Sequence, residues 1–188
     1  MTILSQRDSR WTNIDLGFST TKIGSKGCTV TSLAMLLNTT PDVVNEKLKS
    51  VNGFQGNLVV WTKIPEAFPG TSFHSRGYTY DQNVIFSNLP CLVEVDGSKI
   101  GATKHWVLFV SQTRMYDPWY GREDSVTYYP PIGYSVVKGG TSMHDPVRNT
   151  YFQWLSHLIG DGRPYEQNDQ EYEKRLLEIV NKILTNRG

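Results

Sequence analysis

Cys28 stands directly after Gly27 and opens the apolar-periodic run Thr29-Val30-Thr31-Ser32-Leu33-Ala34-Met35-Leu36-Leu37. This pattern predicts a buried helix with a thiol in its first turn. The unpaired N–H groups and positive dipole end of a helix start favour the thiolate, which is the nucleophilic form. A thiolate nucleophile needs a base that holds it as an ion pair, a group that orients the base, and donors for a developing oxyanion. His105, Asp117 and Gln6 are the candidates for these roles. His105 is the interior-type polar residue of the run Lys104-His105-Trp106-Val107-Leu108-Phe109-Val110, and Asp117 lies in Met115-Tyr116-Asp117-Pro118-Trp119-Tyr120-Gly121. A short hairpin closed by the latter segment would return the carboxylate to the strand that carries the histidine. Gln6 would add a side-chain amide to the backbone N–H of Cys28 at the oxyanion position. Each residue also has a structural alternative. Free cysteines pack as small hydrophobes, a strand histidine is commonly a satisfied core group, and Gln6 is equally a solvated residue near a chain end. The co-occurrence of nucleophile, base and orienting carboxylate, in that order, is what points to covalent catalysis by a thiol.

Positioning these groups takes helices first and a sheet after. The first helix is expected over 28–38. A second, from Asp42 to Lys49, is signalled by Thr40 as cap, Pro41 in the first turn and the stop Val51-Asn52-Gly53. After a turn-rich stretch holding Trp61 and Pro65, candidate strands fall at 72–76, 91–95, 105–111, 114–116, 125–129 and 133–138. A short helix over 80–89, ended by Pro90, precedes the second of them. This order describes an α+β fold with helices packed on an antiparallel sheet. The run from Trp106 to Val110 is apolar on both faces and reads as a central strand.

Composition excludes several classes of partner. The chain of 188 residues is 38% hydrophobic and 20% charged, with a net charge of +1, and is long enough to bury one sizeable core. Lys and Arg are scattered, so no nucleic-acid partner is expected. No apolar signal core lies at the N-terminus and no apolar run is long enough to span a bilayer, which leaves a cytoplasmic location, or release by a non-classical or phage route. The four histidines and two cysteines form no metal-ligand spacing, and both Cys28 and Cys91 are expected as free thiols.

The segments Ser5-Gln6-Arg7-Asp8-Ser9-Arg10-Trp11, Leu16-Gly17-Phe18-Ser19-Thr20, Gly27-Cys28 with its apolar run, and Thr40-Pro41 resemble the opening of papain-like cysteine peptidases related to the bacteriocin-processing (double-glycine leader) peptidases. Lys104-His105-Trp106-Val107-Leu108 and Tyr116-Asp117-Pro118-Trp119-Tyr120-Gly121 resemble that family's histidine and aspartate blocks, in the same order. The resemblance covers residues 3 to 138. It implies a papain-like fold, Cys28 as nucleophile, His105 as base, Asp117 as orienting carboxylate, Gln6 as oxyanion donor, and no metal or organic cofactor.

Residues 1–140 are therefore expected as a papain-like cysteine peptidase domain and 141–188 as a helical C-terminal extension. In the extension, Tyr172, Leu176, Ile179, Val180, Ile183 and Leu184 form an apolar stripe, which would dock on the core or serve a partner or oligomer. His144-Asp145 there ranks below His105 and Asp117, because adjacent loop residues poorly orient one another. Three functions fit: a thiol hydrolase cleaving peptide bonds through a thioester acyl-enzyme, the same chemistry on bacterial cell-wall peptides, or a catalytically silent peptide-binding module. The aromatics Trp106, Trp119, Tyr120, Tyr128 and Tyr129 near the site would suit a glycan-linked substrate, although aromatic residues commonly belong to a core.

Overall fold

The structure, a computed structural model, describes residues 1–139. The expected extension over 141–188, its apolar stripe and the His144-Asp145 pair lie outside the described residues.

A short helix α1 (Ile23–Lys26) turns through Gly27 into α2 (Cys28–Leu36). A Cβ on Gly27 would stand 2.5 Å from the carbonyl oxygen of Ile23, so the close turn that delivers Cys28 to its helix start requires glycine. α2 ends two residues before the expected Asn38, which adopts φ 51 and terminates the run. In α3 (Pro41–Ser50) proline occupies the first turn as expected, and Asn52 with φ 55 supplies the stop. Thr40 caps it through its backbone, because the carbonyl accepts from Val44 N–H at 3.0 Å and the hydroxyl makes no capping bond. The turn-rich stretch contains a hairpin, β1 (Phe54–Gln55) with β2 (Leu58–Val59), and then α4 (Ile64–Ala67).

Six strands follow: β3 (Thr71–Gly77), β4 (Cys91–Asp96), β5 (Lys104–Phe109), β6 (Arg114–Asp117), β7 (Arg122–Ser125) and β8 (Pro131–Gly139). They form one antiparallel sheet in the order β3-β8-β4-β5-β6-β7, and α5 (Gln82–Ser87), capped by the Asp81 carboxylate on Val84 N–H at 3.1 Å, lies between β3 and β4 in the chain. The described residues thus have the α+β composition and strand sense expected. β4 and β5 occupy the middle of the sheet and are buried on both faces. Alternation sends Leu92, Trp106, Leu108 and Val137 into a core with Ile23, Val30, Leu33, Met35 and Leu48 of the helices. The same alternation sends Val93, Val107, Phe109, Met115 and Val136 to the opposite face with Ile85 and Tyr129. Each such fully buried side chain contributes about 1.5–3 kcal/mol of burial free energy.

Two expectations about strands are corrected. The segment 125–129 is not a strand. Gly121, at φ 64, closes a tight β6–β7 turn whose register pairs Asp117 with Arg122, so the strand is used up by Ser125. The hairpin that returns Asp117 to β5 is also not closed by Met115–Gly121. Its turn lies at 110–113, where Val110 N–H and Ser111 N–H both bond the Arg114 carbonyl. Among the described residues, no helix is long and apolar enough to cross a membrane.

Candidate active site

α2 meets the sheet where β6 leaves part of β5 unpaired. β5 pairs with β6 at Leu108↔Tyr116 and Phe109↔Met115, and the two strands part toward the start of β5. A strand residue directs its N–H and C=O to the same side, and at Trp106 that side faces α2. Ser32 Oγ donates to the Trp106 carbonyl at 3.2 Å, and the Trp106 backbone is among the groups that lower the Cys28 thiol pKa. Cys28 is half-buried at the first position of α2, while Cys91 is buried in β4; both are free thiols.

His105 precedes Trp106 and is 1% exposed. Extending the β5–β6 register places Asp117 opposite Val107, on the same face as His105 and diagonal to it. The imidazole Nε2 lies 2.9 Å from Asp117 Oδ1. Nδ1 is then the ring nitrogen left to the Cys28 thiol, which together with Asp117 raises the His105 pKa. Asp117, with no exposed surface, accepts two further bonds: Trp119 N–H to Oδ1 at 2.7 Å and Tyr129 O–H to Oδ2 at 2.8 Å.

These contacts determine the charge state. Burial opposes ionisation of Cys28, but the hydrogen bond and charge of His105, aided by the Trp106 N–H and Thr29, outweigh it and lower the thiol pKa. Burial likewise opposes a cationic His105, yet Asp117 and then Cys28 outweigh it and raise the imidazolium to about 9. For Asp117, burial is overcome by His105, Tyr129 and the Trp119 N–H, which hold the carboxyl below its ordinary range. The combination favours a thiolate–imidazolium pair backed by a carboxylate. Burial pushes Cys91 the other way, up to about 12, with Lys138 opposing only weakly.

Gln6 is not a solvated terminal residue; it is 1% exposed. Its backbone N–H bonds the Pro118 carbonyl at 2.8 Å, beside the Asp117 turn, and Nε2 donates to Gly24 O at 3.2 Å and Ile23 O at 3.5 Å. In a continuous helix the Gly24 carbonyl would be the partner of Cys28 N–H. With Gln6 on that carbonyl and the α2 ladder beginning at Thr31 N–H to Gly27 O, 2.9 Å, the first-turn N–H groups are left as the donors of a helix start. Arg7 lies over the Trp119 ring at 4.9 Å, so residues 6 and 7 tie the Asp117 turn to the segment before Cys28.

The Trp106 ring is flanked by Trp61 at 4.9 Å and by the Arg76 guanidinium at 4.6 Å. Arg76 is paired with the buried Glu94 at 2.6 Å, and Lys104 reaches the same carboxylate at 3.3 Å. Among the described residues, no three His, Cys, Asp or Glu side chains gather as a metal ion would require.

Sequence reasoning missed two partners of Asp117. The Trp119 N–H was legible, since an Asp side chain accepting from the residue two positions on is an Asx turn. Tyr129 carried no such signal. It is far from Asp117 in neighbouring strand terms and arrives only because the chain leaves β7 at Ser125. The chain matches no family model, no curated protein and no solved structure.

Proposed function

We propose that this protein is a papain-like thiol hydrolase that cleaves an amide bond in a polypeptide through Cys28, His105 and Asp117. The observation that carries the reading is the buried 2.9 Å contact of His105 Nε2 with Asp117 Oδ1, which leaves the other ring nitrogen to an acidified thiol at a helix start. The Cys28 thiolate attacks the substrate carbonyl carbon, and the resulting oxyanion is met by the Cys28 N–H. Gln6 Nε2 supplies the second donor by turning one hydrogen from Ile23 O, a long contact to a carbonyl already bonded by Gly27 N–H at 2.7 Å. The C–N bond breaks as His105 gives its proton to the leaving amine, forming a thioester. His105 then takes a proton from water, the hydroxide adds to the thioester carbonyl, and the C–S bond breaks to release the acid and restore the ion pair. No cofactor enters this sequence.

The same chemistry on cell-wall peptides is a second reading, favoured by the loop after Asp117. There Tyr120 is exposed and Trp119 and Tyr128 are partly so, whereas Trp106 and Tyr129 belong to the core.

The test is site-resolved alkylation by iodoacetamide at neutral pH, followed by turnover assays. Cys28 should react at least ~100-fold faster than Cys91, given the opposite directions of their thiol shifts. Equal, slow labelling refutes an activated nucleophile. Cleavage of a peptide library or of purified cell-wall sacculi, lost in Cys28→Ala, separates the two substrates. Peptide binding with no turnover by the native protein would assign the silent binding module instead.

A further inference from the structure

We propose that Tyr129 is a positioning residue of this site, its phenol fixing the second oxygen of Asp117 so that the first stays aimed at His105. The inference rests on the thiol-hydrolase reading and goes beyond its three residues. Asp117 Oδ1 serves both His105 Nε2 and the Trp119 N–H, and among the described residues Tyr129 O–H, at 2.8 Å, is the partner of Oδ2. Phenol and carboxylate are both buried. A carboxylate bonded through one oxygen alone can rotate or take up a proton, and either event withdraws the charge that keeps His105 cationic. The Tyr129 ring is locked against such movement. It stands edge-on to the His105 ring at 5.6 Å and to Tyr128 at 4.7 Å, within the cluster that includes Ile85, Val107 and Phe109. Burial and then Asp117 raise the phenol pKa, so its proton stays available for donation.

The other titratable groups near this arrangement are Cys28 on α2 and the phenols of Tyr120 and Tyr128. Lys99 lies over Tyr128 at 4.1 Å, and Arg122 lies over Tyr120 at 4.6 Å. Both cations face the outer tyrosines, so they leave the Asp117–Tyr129 bond as the group's own control. A Phe ring would fill the same space and remove only the donor.

The experiment measures two titrations in the full chain: the acid limb of Cys28 alkylation by iodoacetamide, and the His105 ring resonances by nitrogen NMR. In Tyr129→Phe the His105 titration should move down by about one pH unit and the Cys28 limb should move up, the size expected from one lost hydrogen bond to a carboxylate. A side chain that only filled space would leave both in place. If the native protein shows both perturbed titrations and Tyr129→Phe leaves them unmoved, this proposal fails while the triad reading stands. If native His105 titrates as an ordinary imidazole and Cys28 as an ordinary thiol, the triad reading itself fails. Should Tyr129→Phe not fold, 3-fluorotyrosine placed at position 129 keeps the ring and strengthens the donor. Both titrations should then shift from their native values, and unmoved values overturn the proposal.

Discussion

Asp117→Asn separates the charge of the orienting group from its shape. The side chain has no exposed surface and accepts from His105, Trp119 N–H and Tyr129. Asparagine can keep the two bonds on Oδ1 and turn its NH2 toward the Tyr129 oxygen, so packing survives and the negative charge goes. A buried opposite charge at this range shifts a partner by about 1–3 pKa units, so the His105 imidazolium, now at about 9, should fall to about 6–8. At about 1.4 kcal/mol per unit, some 1–4 kcal/mol of ion-pair stabilisation is removed, and Cys28 alkylation near pH 6 should slow by ~10-fold or more. Stability provides a second readout, and its sign follows from the two shifts. His105, whose folded value lies above its unfolded 6.5, contributes stability that is complete below 6.5 and lost as pH rises through about 9. Cys28, depressed in the fold, contributes stability that is complete above its unfolded 9.0 and lost as pH falls through its folded value. In the part of the 6.5–9 window that lies above the folded Cys28 value, the folded chain carries its proton on His105 and the unfolded chain on Cys28, so the contributions to pH dependence cancel and native stability should be flat there. Cys28→Ala removes that cancellation, and its thermal midpoint should fall as pH rises across the window. An alkylation rate in Asp117→Asn equal to that of the native protein, with His105 still titrating at its raised value, would show that the Asp117 charge does not hold the ion pair.

Two substitutions test the surroundings of Cys28. Gly27→Ala places a Cβ 2.5 Å from Ile23 O and 2.6 Å from its Cγ2. Displacing that backbone should cost about 1–3 kcal/mol in thermal or urea unfolding and slow Cys28 alkylation, and a stable, fully reactive variant would show that the turn has slack. Gln6→Ala should lower kcat about 100-fold with little change in KM, because an oxyanion donor acts in the transition state. Unfolding of the same variant should report only a loss of about 1–2 kcal/mol from its bond to Gly24 O. An unchanged kcat would remove Gln6 from the oxyanion site.

Local sequence pattern marked most of the elements and singled out the side chains that gather at the candidate site. Glycine before an apolar 3.6-residue period marks a helix start, and that local physics placed Cys28 at the first position of α2. A run apolar on both faces cannot lie at a sheet edge, and β5 is central. Boundaries failed where a turn overrode the pattern. Val126 and Tyr128 alternate as a strand would, but the register set at Asp117↔Arg122 ends β7 at Ser125. How the groups meet depends on the three-dimensional packing of the chain. A one-residue slip between β5 and β6 would send Asp117 to the opposite face from His105, and periodicity alone carries no information about that register. The seating of α2 against the stretch of β5 that β6 leaves unpaired, through Ser32 on the Trp106 carbonyl, depends on contacts distant in the chain. The same is true of the phenol of Tyr129 on Asp117 and of the burial of Gln6 against the segment before Cys28. Such contacts are chosen by packing and hydrogen bonding over the whole fold, since a buried polar atom is satisfied by whatever partner the chain brings to it.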